Sequence, residues 1–300
     1  MSNTEKKVQI LMSTYNGSKY VRTQLDSLLK QRYQNLEILV RDDGSKDDTP
    51  TILREYEAAH DNVHVFLEEN TGLVKSFLSL LERSDADYVG FCDQDDFWLE
   101  NKVEKAVEAL EQIEGPALYC SNQILVDQNL EKLPEGEVPR PKPAFENAVV
   151  ESMCTGCTAL MNRALVDSVK AHMPSHAIWH DWWCYLVATY IGTVVFDENA
   201  YILYRQHGDN QLGSSRSKWQ MIKNKWDFLK KTRGWLGAQL LDFQNFYRGD
   251  AKKDALVDLL LASKKSIPAR WKAAFCGGWF RQKPLDQHVT RALILINKMF

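Results

Sequence analysis

Asp87-Tyr88-Val89-Gly90-Phe91-Cys92-Asp93-Gln94-Asp95-Asp96 reads as an apolar run that stops abruptly at a cluster of carboxylates. A short apolar run closed by polar residues predicts a buried strand, here Asp87–Cys92, with acidic side chains at its carboxyl end. Working back toward the N-terminus, the same design recurs twice. Val8–Ser13 is apolar and ends in Thr14-Tyr15-Asn16-Gly17, and Leu36–Arg41 ends in Asp42-Asp43-Gly44-Ser45. Between them lie helical patterns: Val21, Leu25, Leu28 and Leu29, then a segment opened by Asp47 or Asp48 with Pro50 in its first turn. Val63–Glu68 reads as a third short strand and Gly72–Glu82 as the helix after it.

Strand alternating with helix predicts an α/β fold with a mostly parallel sheet flanked by helices. In such sheets ligands lie at the carboxyl ends of the strands, so Thr14–Asn16, Asp42–Asp43 and Asp93–Asp96 are expected to converge on one crevice. Further on, Lys102–Ile113 reads as a helix and Ala117–Ser121 as a strand. Glu135–Pro143 reads as a Pro-containing loop, Cys157–Met161 as a strand, and the stretch from Arg163 and Ile178–Tyr190 as helices. Thr193–Phe196 and Ala200–Tyr204 are two closing strands. After Gly213 the composition turns basic and aromatic, which divides the chain into residues 1–212 and a helical extension, 213–300.

Composition fits a globular protein, with 44% hydrophobic and 26% charged residues. The net charge of −3 conceals an asymmetry: residues 1–215 hold 19 Lys and Arg against 34 Asp and Glu, whereas 216–283 hold 16 against 5. The acidic part suits a cation and the basic part an anionic surface. Cys154-Thr155-Gly156-Cys157 has CxxC spacing, but no second pair completes a zinc site. Reduced, buried cysteines in a cytoplasmic protein are the expectation. Met1–Lys7 is polar rather than a leader, and no run of about twenty apolar residues offers a membrane span.

Asp93 and Asp95, two residues apart, point to one side of an extended chain. Such hard oxygen donors suit Mg2+ or Mn2+ carrying a diphosphate, although an acidic turn is often only a solvated loop. A carboxylate at Asp42 or Asp43 can accept the imide N–H of a pyrimidine base; the competing reading is a helix-entry turn. Asp181 stands among aromatics in His180-Asp181-Trp182-Trp183, where burial raises a carboxyl pKa and favours proton acceptance; a hydrogen-bonded structural Asp is the alternative. Arg205, in Tyr204-Arg205-Gln206-His207, has the chemistry to pair with phosphate, and His207 to meet metal or phosphate.

Taken together, Ile10–Gly17, Val40–Ser45 and Asp93-Gln94-Asp95-Asp96-Phe97-Trp98 resemble the family 2 glycosyltransferases of the GT-A fold, over about the first 210 residues. The Asp-Gln-Asp-Asp-x-Trp form is similar to that of bacterial rhamnosyltransferases of polysaccharide assembly. The resemblance implies an inverting transfer from a dTDP- or UDP-linked sugar, L-rhamnose first, to a hydroxyl of a polyprenyl-linked or growing glycan. Thr14, Tyr15, Asn16 and Asp42 would hold the nucleoside, with Asp43, Gln94 and Arg205 nearby. Asp93 and Asp95 match the family's DxD motif and would meet the metal, Asp95 first as its direct ligand, with His207 assisting at the metal or the diphosphate. Asp181 falls at the general base, after the acceptor-side Thr155-Gly156-Cys157 segment. Trp98, Trp182 and Trp183 would shape the sugar and acceptor pockets. The alternatives are a GlcNAc, Glc or Gal transferase and a non-catalytic nucleotide-sugar or glycan-binding subunit.

In the basic region, Trp219, Ile222, Trp226 and Leu229 share a helical face among lysines and arginines, and Arg270-Trp271-Lys272 to Trp279-Phe280-Arg281 repeats the mixture. Peripheral contact with an anionic membrane, at the inner face of the plasma membrane, is one expectation; packing on the catalytic part or a homodimer is the other. No nucleic-acid motif is present.

Overall fold

The computed structural model describes residues 6–134, 140–206 and 234–300. One eight-stranded sheet forms the centre. Its strands are β1 (Val8–Thr14), β2 (Leu36–Asp42), β3 (Val63–Leu67), β4 (Tyr88–Cys92), β5 (Phe97–Trp98), β6 (Ala117–Val126), β7 (Leu160–Asn162) and β8 (Thr193–Arg205), in the spatial order β3-β2-β1-β4-β7-β6-β8-β5. The pairs β3-β2, β2-β1, β1-β4 and β6-β8 are parallel, whereas β7 runs antiparallel to β4 and β6, and β5 antiparallel to β8. The helices are α1 (Val21–Leu29), α2 (Thr49–Ala59), α3 (Leu73–Arg83), α4 (Lys102–Leu110), α5 (Phe145–Ala148), α6 (Arg163–Ala171) and α7 (His180–Ile191), followed by α8 (Trp235–Phe246), α9 (Ala251–Ser263), α10 (Ile267–Cys276) and α11 (Pro284–Leu295).

Helices cover both faces of the sheet, so its inner strands are apolar on both sides. Alternation along β1 and β4 assigns the faces. Val8, Ile10, Met12, Tyr88 and Cys92 join one buried cluster with Leu25 and Leu28 of α1 and Leu53 of α2. Leu11, Val89 and Phe91 join the other, with Phe77 and Leu81 of α3, Val166 of α6 and Trp183 of α7. This second cluster runs on without a break into Leu240, Phe243, Leu260 and Ile294 of the C-terminal helices and Phe300 beyond them. The expected boundary at 213 lies outside the described residues.

Two sequence expectations change. The closing strands Thr193–Phe196 and Ala200–Tyr204 are one strand, β8; the polar Asp197-Glu198-Asn199 between them resembles a turn but forms an irregularity in the β6–β8 ladder. Its groups are satisfied laterally: the Asn122 side-chain amide donates to the Glu198 carbonyl (2.7 Å), the Tyr119 hydroxyl to Asp197 (3.0 Å). Asp48 precedes α2 without a side-chain bond, and Asp47 accepts from the Thr49 backbone N–H (3.0 Å) instead. Among the described residues no helix is long and apolar enough to cross a membrane, and all six cysteines are free, five of them buried.

Candidate active site

The turns after β1, β2 and β4 are fastened to one another. The Gln94 side chain accepts from the Tyr15 N–H (2.9 Å) and donates to the Tyr15 carbonyl (3.2 Å), tying the acidic turn to the first one. Asn16, at a positive φ of 49°, accepts from Lys46 N–H (2.8 Å), and its own N–H donates to the Ser45 hydroxyl (2.8 Å). Gly17 leaves no room for a side chain, because a Cβ there would stand 2.1 Å from Gln94 Oε1. The fastened turns form one wall of a cavity of about 670 Å³ that Tyr15, Asn16, Asp43, Asp93, Gln94 and Asp95 line from this side. Thr155, Gly156, Trp179, His180 and Asp181, from the segment before β7 and the start of α7, line the same cavity.

Asp42 and Asp43 divide their tasks by strand parity. Asp42, expected against the nucleoside, does not line the cavity, although it is no more buried than Asp43, each being 2% exposed. It accepts from the Ser45 N–H (2.9 Å), the Ser45 hydroxyl (2.5 Å) and the Thr14 hydroxyl (3.0 Å), so Asp42 and Thr14 together brace the turn from within. Asp43 is the carboxylate that reaches the cavity. Burial acts to raise its pKa, but the Arg41 guanidinium and the Thr71 and Gly72 N–H groups outweigh burial and hold it below the usual range.

Asp93 and Asp95 both face the cavity, and Asp96 turns inward, fully buried. Burial, then the charges of Asp95 and Asp181, push the Asp93 carboxyl up to about 7. Asp93, Asp96 and Cys157 bring potential ligand atoms within 4.8 Å of one another. Burial raises the Cys157 thiol well above its ordinary range, which makes it a poor partner for a hard ion. The donors that fit Mg2+ or Mn2+ are therefore the cavity-facing carboxylates, whose mutual repulsion a divalent cation would relieve. His207 lies outside the described residues.

Arg205 differs from expectation. It is 3% exposed and lies behind the acidic turn: Nε donates to the Asp95 carbonyl (2.6 Å), a terminal nitrogen to the Gln128 carbonyl, and its backbone N–H to Asp96 (2.9 Å). Its guanidinium also sits 4.5 Å from the Tyr20 ring centroid. Arg205 therefore shapes the turn and does not line the cavity. The tryptophans expected in the pockets are also placed elsewhere. Trp98 is buried, with the Lys102 ammonium 3.5 Å from its ring centroid. Trp183 is wholly buried against Phe243 and Tyr247. Trp182, half-buried, donates from Nε1 to the Ala148 carbonyl (2.7 Å). None of the three lines the cavity; Trp179, Tyr20 and Tyr204 do.

Asp181 stands in the first turn of α7 and accepts from the N–H groups of Trp182 (2.7 Å) and Gly156. Burial nevertheless raises its carboxyl to about 6, the Trp182 and Gly156 bonds opposing the rise. Gly156 permits the close approach, since a Cβ there would meet His180 Nε2 at 3.1 Å and Asp181 Oδ2 at 3.4 Å. His180 stacks on Phe77 (3.9 Å between centroids), and burial lowers it to about 3, which keeps a neutral ring beside Asp181.

The chain resembles known glycosyltransferases in sequence and in fold. The dTDP-rhamnosyl transferase RfbG of Shigella flexneri is 27% identical over 310 residues, covering 95% of this chain and 99% of its own. Among solved structures, S. aureus TarS 1-349 in complex with UDP-GlcNAc superposes with a TM-score of 0.60 at 20% identity, over 85% of this chain and 70% of that one. The mannosyltransferase PcManGT from Pyrobaculum calidifontis, in complex with GDP-Man and Mn2+, gives 0.54 at 17% identity, over 98% and 86%. These two likenesses establish the GT-A-like fold. The model of glycosyl transferase family 2 matches residues 9–169, more than half the chain and all three of the fastened turns, and the chain belongs to that family.

Proposed function

We propose that this glycosyltransferase is an inverting, metal-dependent enzyme that moves L-rhamnose from dTDP-rhamnose to a hydroxyl of a lipid-linked or growing polysaccharide. The observation that carries the reading is that Asp181 lines the same cavity as Asp93 and Asp95. A proton acceptor thus shares the cavity with the carboxylates suited to a metal-bound diphosphate. The similarity to RfbG over nearly all of both chains favours rhamnose.

On this reading the fastened turns hold the nucleotide, with Tyr15, Asn16 and Asp43 toward the nucleoside. Mn2+ or Mg2+, held by Asp93 and Asp95, would supply positive charge to the diphosphate as it leaves. Asp181 orients the acceptor hydroxyl and takes its proton. The acceptor oxygen attacks the anomeric carbon from the side opposite the nucleotide, the bond from that carbon to the diphosphate oxygen breaks, and its electron pair departs with the diphosphate. One displacement inverts the configuration. Residues 1–212 supply every group named here, and a nucleotide-sugar donor places the reaction on the cytoplasmic side of the membrane.

A UDP-sugar donor is the second reading, favoured by the likeness to TarS with its UDP-GlcNAc. A non-catalytic subunit fits less well, because it has no need of a carboxylate poised at Asp181. Thermal-shift screening with Mn2+ against dTDP-rhamnose, UDP-GlcNAc, UDP-Glc and UDP-Gal tests the assignment. The largest stabilisation is expected from dTDP-rhamnose, and a larger one from a UDP-sugar would replace rhamnose by that sugar.

A further inference from the structure

Twelve large hydrophobic side chains stay exposed among the described residues, and six of them lie in one stretch near the C-terminus: Ile267, Trp271, Phe275, Leu285, Val289 and Ile296. Isolated exposed apolar residues are normal, but concentration in neighbouring helices marks a contact surface. Ile267, Trp271 and Phe275 follow one another at four-residue intervals and form a single stripe along α10. They are 65%, 58% and 55% exposed, while Ala273 and Ala274 of the same helix are buried. The Trp271 and Phe275 rings already stack, 5.3 Å between centroids. On α11, Leu285 and Val289 repeat the interval.

The charge along the stretch that bears the stripe has one sign up to Asp286 in the first turn of α11, which lies 3.9 Å from Arg281. Residues 264–283 contain Lys264, Lys265, Arg270, Lys272, Arg281 and Lys283 and no Asp or Glu, in a chain whose net charge is −3. Lys264, Lys265, Lys272 and Lys283 are exposed. Arg281 instead pairs with Glu151 (2.8 Å), whose other oxygen accepts from the Gln282 N–H (2.8 Å). That pair tethers the basic stretch to the segment that, four residues on, becomes Thr155 and Gly156 of the cavity wall.

From this surface we propose that the exposed face of α10, flanked by α11, docks on the anionic headgroup layer of a lipid bilayer, with Trp271 and Phe275 entering the interface and the lysines on the headgroups. Exposed aromatic and aliphatic tips with exposed lysines in the same short stretch match a boundary that is apolar inside and negative outside. A second copy of the chain fits this face poorly, because two-fold pairing would set the same basic stretch against itself. With no spanning helix among the described residues, the contact is peripheral. The proposal rests on this face alone, independent of the donor and acceptor assigned above.

The test is sedimentation of the full chain with vesicles of phosphatidylcholine alone or mixed equally with phosphatidylglycerol. Binding is expected to the mixed vesicles, falling about tenfold or more between ~0.1 M and ~0.5 M salt. A Trp271→Ala/Phe275→Ala variant should lose about tenfold in partitioning with an unchanged melting temperature. Lys264→Glu/Lys265→Glu provides a second, charge-directed variant, expected to lose about tenfold at low salt. The proposal is overturned if the wild type binds neither vesicle at low salt, binds both equally, or if both variants bind as the wild type does. It is overturned equally if ultracentrifugation finds a dimer that the aromatic variant converts to monomer.

Discussion

Replacing Asp181 by Asn removes a proton acceptor and leaves nearly everything else in place. The Asn carbonyl can still accept from the Trp182 N–H, and the cavity keeps its volume. Loss of a positioned general base costs about 10²- to 10⁴-fold in rate, or about 3–5 kcal/mol of barrier. With the carboxyl raised to about 6, kcat/KM of the wild type is expected to rise about tenfold per pH unit below that value and to level off above it. The residual activity of the variant should show no such rise. Stability moves the other way. Because the folded-state pKa lies above the ordinary aspartate value near 3.8, the folded protein binds a proton more tightly than the unfolded chain. The ionised side chain therefore destabilises the fold as pH rises from ~4 through ~6. Two pKa units correspond to about 3 kcal/mol, and screening by cavity water reduces this to about 1–2 kcal/mol. Asp181→Asn should thus melt a few degrees higher than the wild type above about pH 6 and identically below about pH 4. Transfer assays across pH, calorimetric donor titration and melting curves measure the three quantities. Transfer within a factor of ten of wild type, or an activity that still titrates near 6 in the variant, would refute Asp181 as the base.

Asp95→Ala should abolish the difference between donor affinities measured with Mn2+ and with EDTA, and unchanged affinity in calorimetry would remove Asp95 from the metal. Gly17→Ala places a Cβ 2.1 Å from Gln94 Oε1. Because the obstacle is the end of a flexible side chain, the fold should lose no more than about 2 kcal/mol while the Tyr15–Gln94 clasp opens. Donor KM is expected to rise about tenfold; an unaltered KM would mean the clasp does not shape the donor wall. Gly192→Ala meets the backbone of Pro116 at 2.0 Å, which cannot step aside, and should cost about 3 kcal/mol or more in a denaturant titration without changing donor affinity per folded molecule.

Most of the wall formed by the three strand-end turns was legible because each strand there is an apolar run that stops at polar residues, and sheet topology gathers such ends. What the sequence could not assign was direction. Asp42 and Asp43 are adjacent, and parity alone decides that Asp42 braces its own turn while Asp43 meets the cavity. The same applies to Trp182 and Trp183, about 100° apart on α7, where packing of the C-terminal helices claims Trp183 for the core. Trp98 followed a promising motif, but β5 is two residues long and pairs with Leu203 and Ile202, a partnership visible only in three dimensions. Arg205 looked like an anion ligand because its type suggests one; its donors are taken by carbonyls of two separate turns. Trp179, which does line the cavity, carries only a weak signal, its place one residue before His180-Asp181.

The clasping of the strand-end turns also bears on how such a protein can change over generations. Tyr15, Asn16, Ser45 and Gln94 hold one another across three separate turns, so a substitution at one of them disturbs the others, and drift there must be concerted. Thr155, Gly156 and Asp181 depend on a different scaffold, the packing of α7 and the helices beneath it. On the proposed function, the part of the cavity around Asp181 is thus free to diverge while the fastened turns stay constant, and chimeras that exchange only the former offer the natural route to a new acceptor for the same donor.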